Sequence, residues 1–140
     1  MASSAKPSWV SHPPRVGNIV TCKYPGDPKG ELRPVLVLQK REGDKGGFAV
    51  RVAYGTKNLN KEKRAHIDLI IEDQHLVDAC GLAVPTRFDL ENIAVLPWEP
   101  PDCGCWSGYN SPVIGELPTD QQIECAYKLA AIQNKSSGAS

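Results

Sequence analysis

Residues 48–54 read Phe-Ala-Val-Arg-Val-Ala-Tyr, and this strict alternation constrains the fold more than any other stretch. Phe48, Val50, Val52 and Tyr54 share one side of an extended chain, whereas a helix would scatter them around its circumference. A half-buried β-strand is therefore expected here. The β-branched run at 34–39 (PVLVLQ) predicts another strand, and 18–23, 66–71, 86–90 and 93–96 predict four more short ones. Between them lie polar loops at 24–31, 40–47 and 55–65, the last of these strongly basic. Residues 72–80 read as a short helix closed by Gly81. Residues 119–133 read as an amphipathic helix, capped by Thr119 or Asp120, with Ile123, Ala126, Tyr127, Ala130 and Ala131 as its apolar stripe. The expectation is a mainly β chain, a small barrel with helical decoration.

Three segments divide the 140 residues. Residues 1–15 are a flexible lead-in in which Trp9 and Val10 dock onto the domain, and 16–98 hold the barrel. Residues 99–140 are a Pro-, Gly- and Cys-containing connector, the second helix and a frayed tail. No apolar run reaches the length of a membrane span, and the N-terminus lacks the continuous apolar segment of a secretory signal. Five cysteines without a framework-like spacing suggest reduced thiols in a cytoplasmic protein. Cys103-Gly104-Cys105 reads as two ordinary thiols rather than half a zinc site, since structural zinc shows paired Cys-x-x-Cys-like spacings. No metal site is expected.

The formal net charge is zero, but it is unevenly spread. Residues 1–71 carry 13 Lys and Arg against 6 Asp and Glu, and residues 72–140 carry 3 against 10. A basic half suits a polyanion. It is equally compatible with two halves that neutralise each other across the fold.

Phosphate-binding glycine loops, nucleophile elbows and metalloprotease motifs are absent. What remains is Arg33, at the mouth of the second strand, and Thr56, just after the third. A guanidinium offers bidentate contact to phosphate oxygens, and a hydroxyl can donate to a non-bridging oxygen. RNA carries its own nucleophile, the 2′-hydroxyl, so an enzyme that supplies proton transfer and cations or donors can cut it without a metal. The plainer reading is a solvated strand end and a turn threonine, followed by a mobile lysine-rich loop.

The same residues carry a resemblance. Gly17-Asn18-Ile19-Val20 is similar to the opening strand of the PemK/MazF toxins of toxin–antitoxin pairs, and Arg33-Pro34-Val35-Leu36-Val37-Leu38 to their second strand. Val52-Ala53-Tyr54-Gly55-Thr56 resembles the third strand, and His66-Ile67-Asp68-Leu69 the strand after the basic loop. Gly81 to Leu90 (GLAVPTRFDL), with Leu96-Pro97-Trp98, resembles a variant branch. The match covers 16–98. It implies an SH3-like barrel that forms a homodimer, cleaves single-stranded RNA without metal or cofactor, and is inhibited by a cognate antitoxin. It implies Arg33 and Thr56 as the catalytic pair: Arg33 as general acid/base and phosphate clamp, Thr56 stabilising the transition state. The loop 24–32 corresponds to a gate near RNA. Lys23, Tyr24, Lys29, Lys57, Lys61, Lys63, Arg64, Arg87 and Asn92 are the expected RNA contacts. Lys23 stands where many members have an acidic residue, Lys57 where a serine is common, and 99–140 has no evident counterpart. Those departures keep open a non-catalytic binding module on the same barrel and, more weakly, a gyrase-targeting toxin.

Overall fold

A computed structural model of the chain describes residues 6–43 and 46–138. Six strands form one antiparallel sheet: β1 (Asn18–Lys23), β2 (Leu32–Glu42), β3 (Phe48–Thr56), β4 (Leu69–Ile71), β5 (Thr86–Pro97) and β6 (Val113–Glu116). Their spatial order is β4-β5-β3-β2-β1-β6. Bulges between Ile19 and Val20, Val37 and Gln39, and Ala53 and Tyr54 curl the sheet into a half-barrel. The strands at 86–90 and 93–96 are one continuous β5. At its bulge the pairing jumps from Ala53↔Ile93 to Tyr54↔Asp89, so Leu90, Glu91 and Asn92 stand out of register. This bend is what the sequence showed as a break.

Both faces of the sheet are covered. Ile19, Leu36, Ala53, Phe88 and Leu90 pack on one side with the helices, and Val20, Val35, Val37, Val50, Val52 and Trp98 on the other. Double burial explains why 34–38 is continuously apolar rather than alternating. The second face is closed by the N-terminal segment. Ser8–Ser11 makes one 3₁₀ turn. Trp9 stands edge-on to Trp98, with ring centroids 5.0 Å apart, and its carbonyl accepts the Trp98 indole N–H at 2.9 Å. Trp9 thus docks onto the domain as expected; residues 1–5 lie outside the described residues.

The basic loop contains a helical turn, α1 (Lys61–Arg64), and the strand expected at 66–71 shortens to β4. Helix α2 (Gln74–Ala79) ends as expected at Gly81. Gly81 has φ +68°, its N–H bonds Asp78 O and the Leu82 N–H bonds Val77 O, the paired closure of a Schellman motif. A Cβ at Gly81 would overlap the Ile114 carbonyl oxygen of β6. Gly81→Ala therefore combines a left-handed backbone with a backbone clash, and we expect a loss of about 1–3 kcal/mol, read as a lower urea midpoint.

Helix α3 (Thr119–Gly138) runs through most of the segment expected to fray, of which residues 139–140 lie outside the described residues. Pro118, not Thr119 or Asp120, opens it, its carbonyl accepting the Gln121 and Gln122 N–H groups. Its buried side is also not the expected one. Cys125, Leu129 and Ile132 pack on the core, whereas Ile123 and Tyr127 are exposed. On the same side Lys128 Nζ reaches the carbonyls of Ala65 and Asp68 at 2.8 Å each. Among the described residues, no helix is long and apolar enough to cross a membrane.

Candidate active site

Arg33 and Thr56 meet at one end of the sheet. The β2–β3 ladder ends at Val35↔Tyr54, and just beyond it Arg33 and Thr56 line one cleft. Pro34 is not the first residue of its strand, and Arg33 is not outside the ladder, since Cys22↔Arg33 and Lys23↔Leu32 still pair with β1. The proline is tolerated there for a definite reason. Thr21, its β1 partner, spends its own N–H on Pro112 O and its carbonyl on the Gly104 N–H, both away from β2. The Thr21↔Pro34 pair therefore asks nothing of the missing donor. On the β3 side the partner position is Gly55, where a Cβ would come within 2.6 Å of Pro34 O. A glycine lets the two strands close together at the site.

A cleft of about 630 Å³ opens at this end, lined by Arg33, Tyr54, Thr56, Lys57 and Asn58 together with the stretch Leu82–Val84, and walled by Trp106. The Thr56 Oγ1 accepts the Asn58 N–H at 3.2 Å, which leaves its own O–H free to donate. Arg33 is held by the loop before β2. Its Nε donates to Asp27 Oδ2 at 2.7 Å, and its Nη2 lies 3.4 Å from Glu31 Oε2. Asp27 in turn organises the loop, accepting the Lys29 N–H at 3.1 Å. The hydrogen bond from Arg33 holds the Asp27 carboxyl below its ordinary range, and the same bond raises Arg33 above its own. Two carboxylates thus hold the Arg33 guanidinium at the cleft.

Of the other residues expected at the site, only Lys57 lines the cleft. Lys23 and Lys29 are exposed beside it, at the end of β1 and in the 24–31 loop. Tyr24 is buried, donating to Asn92 O and Oδ1 at 2.8 Å and packing edge-on against Tyr54 with centroids 4.8 Å apart. Tyr24 and Asn92 thus support the cleft from behind. Lys61 pairs with Glu72 at 2.7 Å, and Lys63 is solvated on α1. Arg64 and Arg87 are not free cations. Both grip Asp68, whose side chain is fully buried: Arg64 through Nε (2.8 Å) and Nη2 (3.0 Å), Arg87 through Nη1 (2.7 Å). Arg87 Nε also donates to Asn58 O at 2.9 Å, tying this network to the cleft floor. Burial pushes the Asp68 carboxyl up, but the two arginines and the Leu90 N–H outweigh it and hold it down.

Sequence reasoning missed Asp27 and Trp106. Asp27 had a signal, a Gly-Asp-Pro turn next to Arg33. Trp106, in an aperiodic connector, had none. The cysteines form no cluster at the site. Cys22 Sγ faces Cys103 Sγ at 2.9 Å in the core, and the contact between the thiols, with burial, raises Cys22. Burial pushes Cys80 and Cys125 up to about 11 each.

No family model matches the sequence, and no curated protein sequence matches it. Solved structures do. MazF from Deinococcus radiodurans (Form-I) superposes with a TM-score of 0.54 at 17% identity, covering 86% of this chain and 96% of that one. The MazE–MazF structure from the same organism (Form-II) gives 0.53 at 16%, covering 86% and 94%. Residues 1–98 are seven-tenths of the chain, so the match extends past Trp98 into the segment that had no evident counterpart. At this identity the likeness speaks for architecture alone: the chain has the fold seen in MazF.

Proposed function

We propose that the protein is a metal-independent endoribonuclease acting on single-stranded RNA. The observation that carries this reading is the meeting of Arg33 and Thr56 in one cleft, with Lys57 beside them. A scissile phosphate seated there exchanges the carboxylates on Arg33 for its own non-bridging oxygens, and the Thr56 hydroxyl donates to one of them. The 2′-oxygen attacks phosphorus in line as its proton passes to water, and the P–O5′ bond breaks as water protonates O5′. The products are a 2′,3′-cyclic phosphate and a 5′-hydroxyl end. Arg33 and Thr56 stabilise charge along this path, and neither has to change its protonation state.

Two partners belong to the same reading: an antitoxin protein, as in the MazE–MazF complex, and a second copy of the chain. Ile123 and Tyr127 on α3, 52% and 75% exposed, are apolar surface that a partner chain would cover. If they do so in a homodimer, Tyr127→Glu shifts light-scattering mass towards the monomer without lowering the melting temperature.

Incubating the purified protein with long single-stranded RNA in EDTA tests the activity. Cyclic-phosphate ends at defined sequences are expected, and intact RNA across a diverse pool would sink the reading. The engagement of Arg33 by two carboxylates favours a second reading, a binding module that never releases its arginine. It predicts partner capture that survives Arg33→Ala, with no cleavage by the wild type.

A further inference from the structure

Trp106 is set into the cleft by contacts that hold it in fixed relation to Arg33. Its indole N–H donates to Leu32 O at 3.1 Å, the carbonyl of the residue just before Arg33. The chain leading to it is laid along β1. The Lys23 N–H bonds Asp102 O at 2.7 Å and the Gly104 N–H bonds Thr21 O at 3.2 Å, which brackets Cys103 opposite Cys22, itself the register partner of Arg33. Gly104 is packed so closely on the Leu32 side chain that a Cβ would lie 3.3 Å from it. Tyr109 stands edge-on to the indole at 6.3 Å.

The single polar atom of Trp106 is thus spent on the backbone, while its ring remains half-buried as a wall of the cleft. The rest of the lining sorts by chemistry. Leu82, Ala83 and Val84 are apolar, and Arg33, Thr56 and Lys57 present cations and a hydroxyl. An aromatic plane beside phosphate-seeking groups is the arrangement that receives a flat base attached to a charged backbone.

We propose that Trp106 is the stacking platform for a nucleobase next to the phosphate held by Arg33, and so a substrate-positioning residue of the site. The proposal rests on the RNA-cleaving reading for its ligand, but it is tested by binding. The probe is a 2′-O-methyl oligonucleotide, which lacks the attacking hydroxyl and is not cut. Of the three tryptophans, Trp9 and Trp98 are buried against one another, so quenching of tryptophan fluorescence on titration reports Trp106.

Saturable quenching is expected in the wild type and is lost in both Trp106→Leu and Trp106→Phe, which lack the reporter, whereas fluorescence anisotropy of an end-labelled probe shows binding largely kept in Trp106→Phe. Affinity for the probe falls about 10- to 100-fold in the leucine variant, the scale of one lost base stack. With cleavable RNA the loss falls on KM rather than kcat. Should Trp106→Leu fold poorly, the phenylalanine variant and the wild-type titration decide. Cleavage by the wild type with no quenching, or with KM unchanged in both variants, overturns the stacking role and leaves the nuclease reading intact. Quenching and binding without cleavage support the stacking role and overturn the nuclease reading. Failure of the probe to bind at all overturns the stacking role.

Discussion

On the ribonuclease reading proposed above, Arg33→Ala is expected to lower RNA cleavage by about 10³-fold, the scale of losing an arginine that faces transition-state charge. Arg33→Lys does not restore it, because an ammonium cannot contact two phosphate oxygens from the fixed fork of a guanidinium. Thr56→Ala costs about 10²-fold as a single lost donor, and Thr56→Ser recovers most of that. Single-turnover cleavage rates at saturating RNA check all three, and losses below tenfold for Arg33→Ala would remove it from the chemistry. The same variant strips Asp27 of its partner. The Arg33–Asp27 contribution to stability is present above the ordinary carboxylate pKa of about 4 and is lost as pH falls through the depressed folded value. The stability difference between wild type and Arg33→Ala is therefore seen at neutral pH and closes in acid.

Asp68→Ala is the most damaging single change for the fold. It leaves the Arg87 guanidinium, 11% exposed, with one remaining carboxylate 3.6 Å away, and it orphans the buried Leu90 N–H. Breaking a buried pair from one side costs about 3–5 kcal/mol, a large share of the roughly 5–15 kcal/mol that stabilises a domain. For a domain of this size that is a fall in melting temperature of about 10–20 °C. The pH dependence has a definite sign. The Asp68 carboxyl is held below its ordinary value in the folded chain, so its stabilisation is complete above about pH 4 and disappears as pH drops through the folded value. Wild-type and variant stabilities converge in acid. A urea midpoint shifted by less than about 1 kcal/mol at pH 7 would show that Arg64 and Arg87 find other partners.

These two sites differ in how far the residues announced them. Arg33 and Thr56 were legible because each ends a strand recognisable from its own pattern, and antiparallel neighbours joined through one hairpin bring such ends together. Arg64, in the basic loop, and Arg87, in the Pro-Thr-Arg-Phe-Asp-Leu stretch, are expected RNA contacts in the sequence, yet both are spent on Asp68. Their actual partner, Asp68, comes four residues after Arg64, and only the turn of α1 and the pairing of β4 with β5 bury it between them. Helix α3 misled for a related reason. Its alanines fit either face, and the side that meets the core carries Cys125, Leu129 and Ile132, with Lys128 reaching two backbone carbonyls of a distant turn.

The sequence by itself determined the strands β1, β2 and β3, the helical stop at Gly81, and the placing of Arg33 and Thr56 at neighbouring strand ends. Those are local properties, set by side-chain alternation, β-branching and the backbone limits of glycine and proline. The tertiary structure decided which charges are buried in pairs, which face of α3 meets the core, and that Trp106, 73 residues after Arg33, stands beside it. Such choices depend on which segments share desolvated space, and no run of neighbouring residues carries that information.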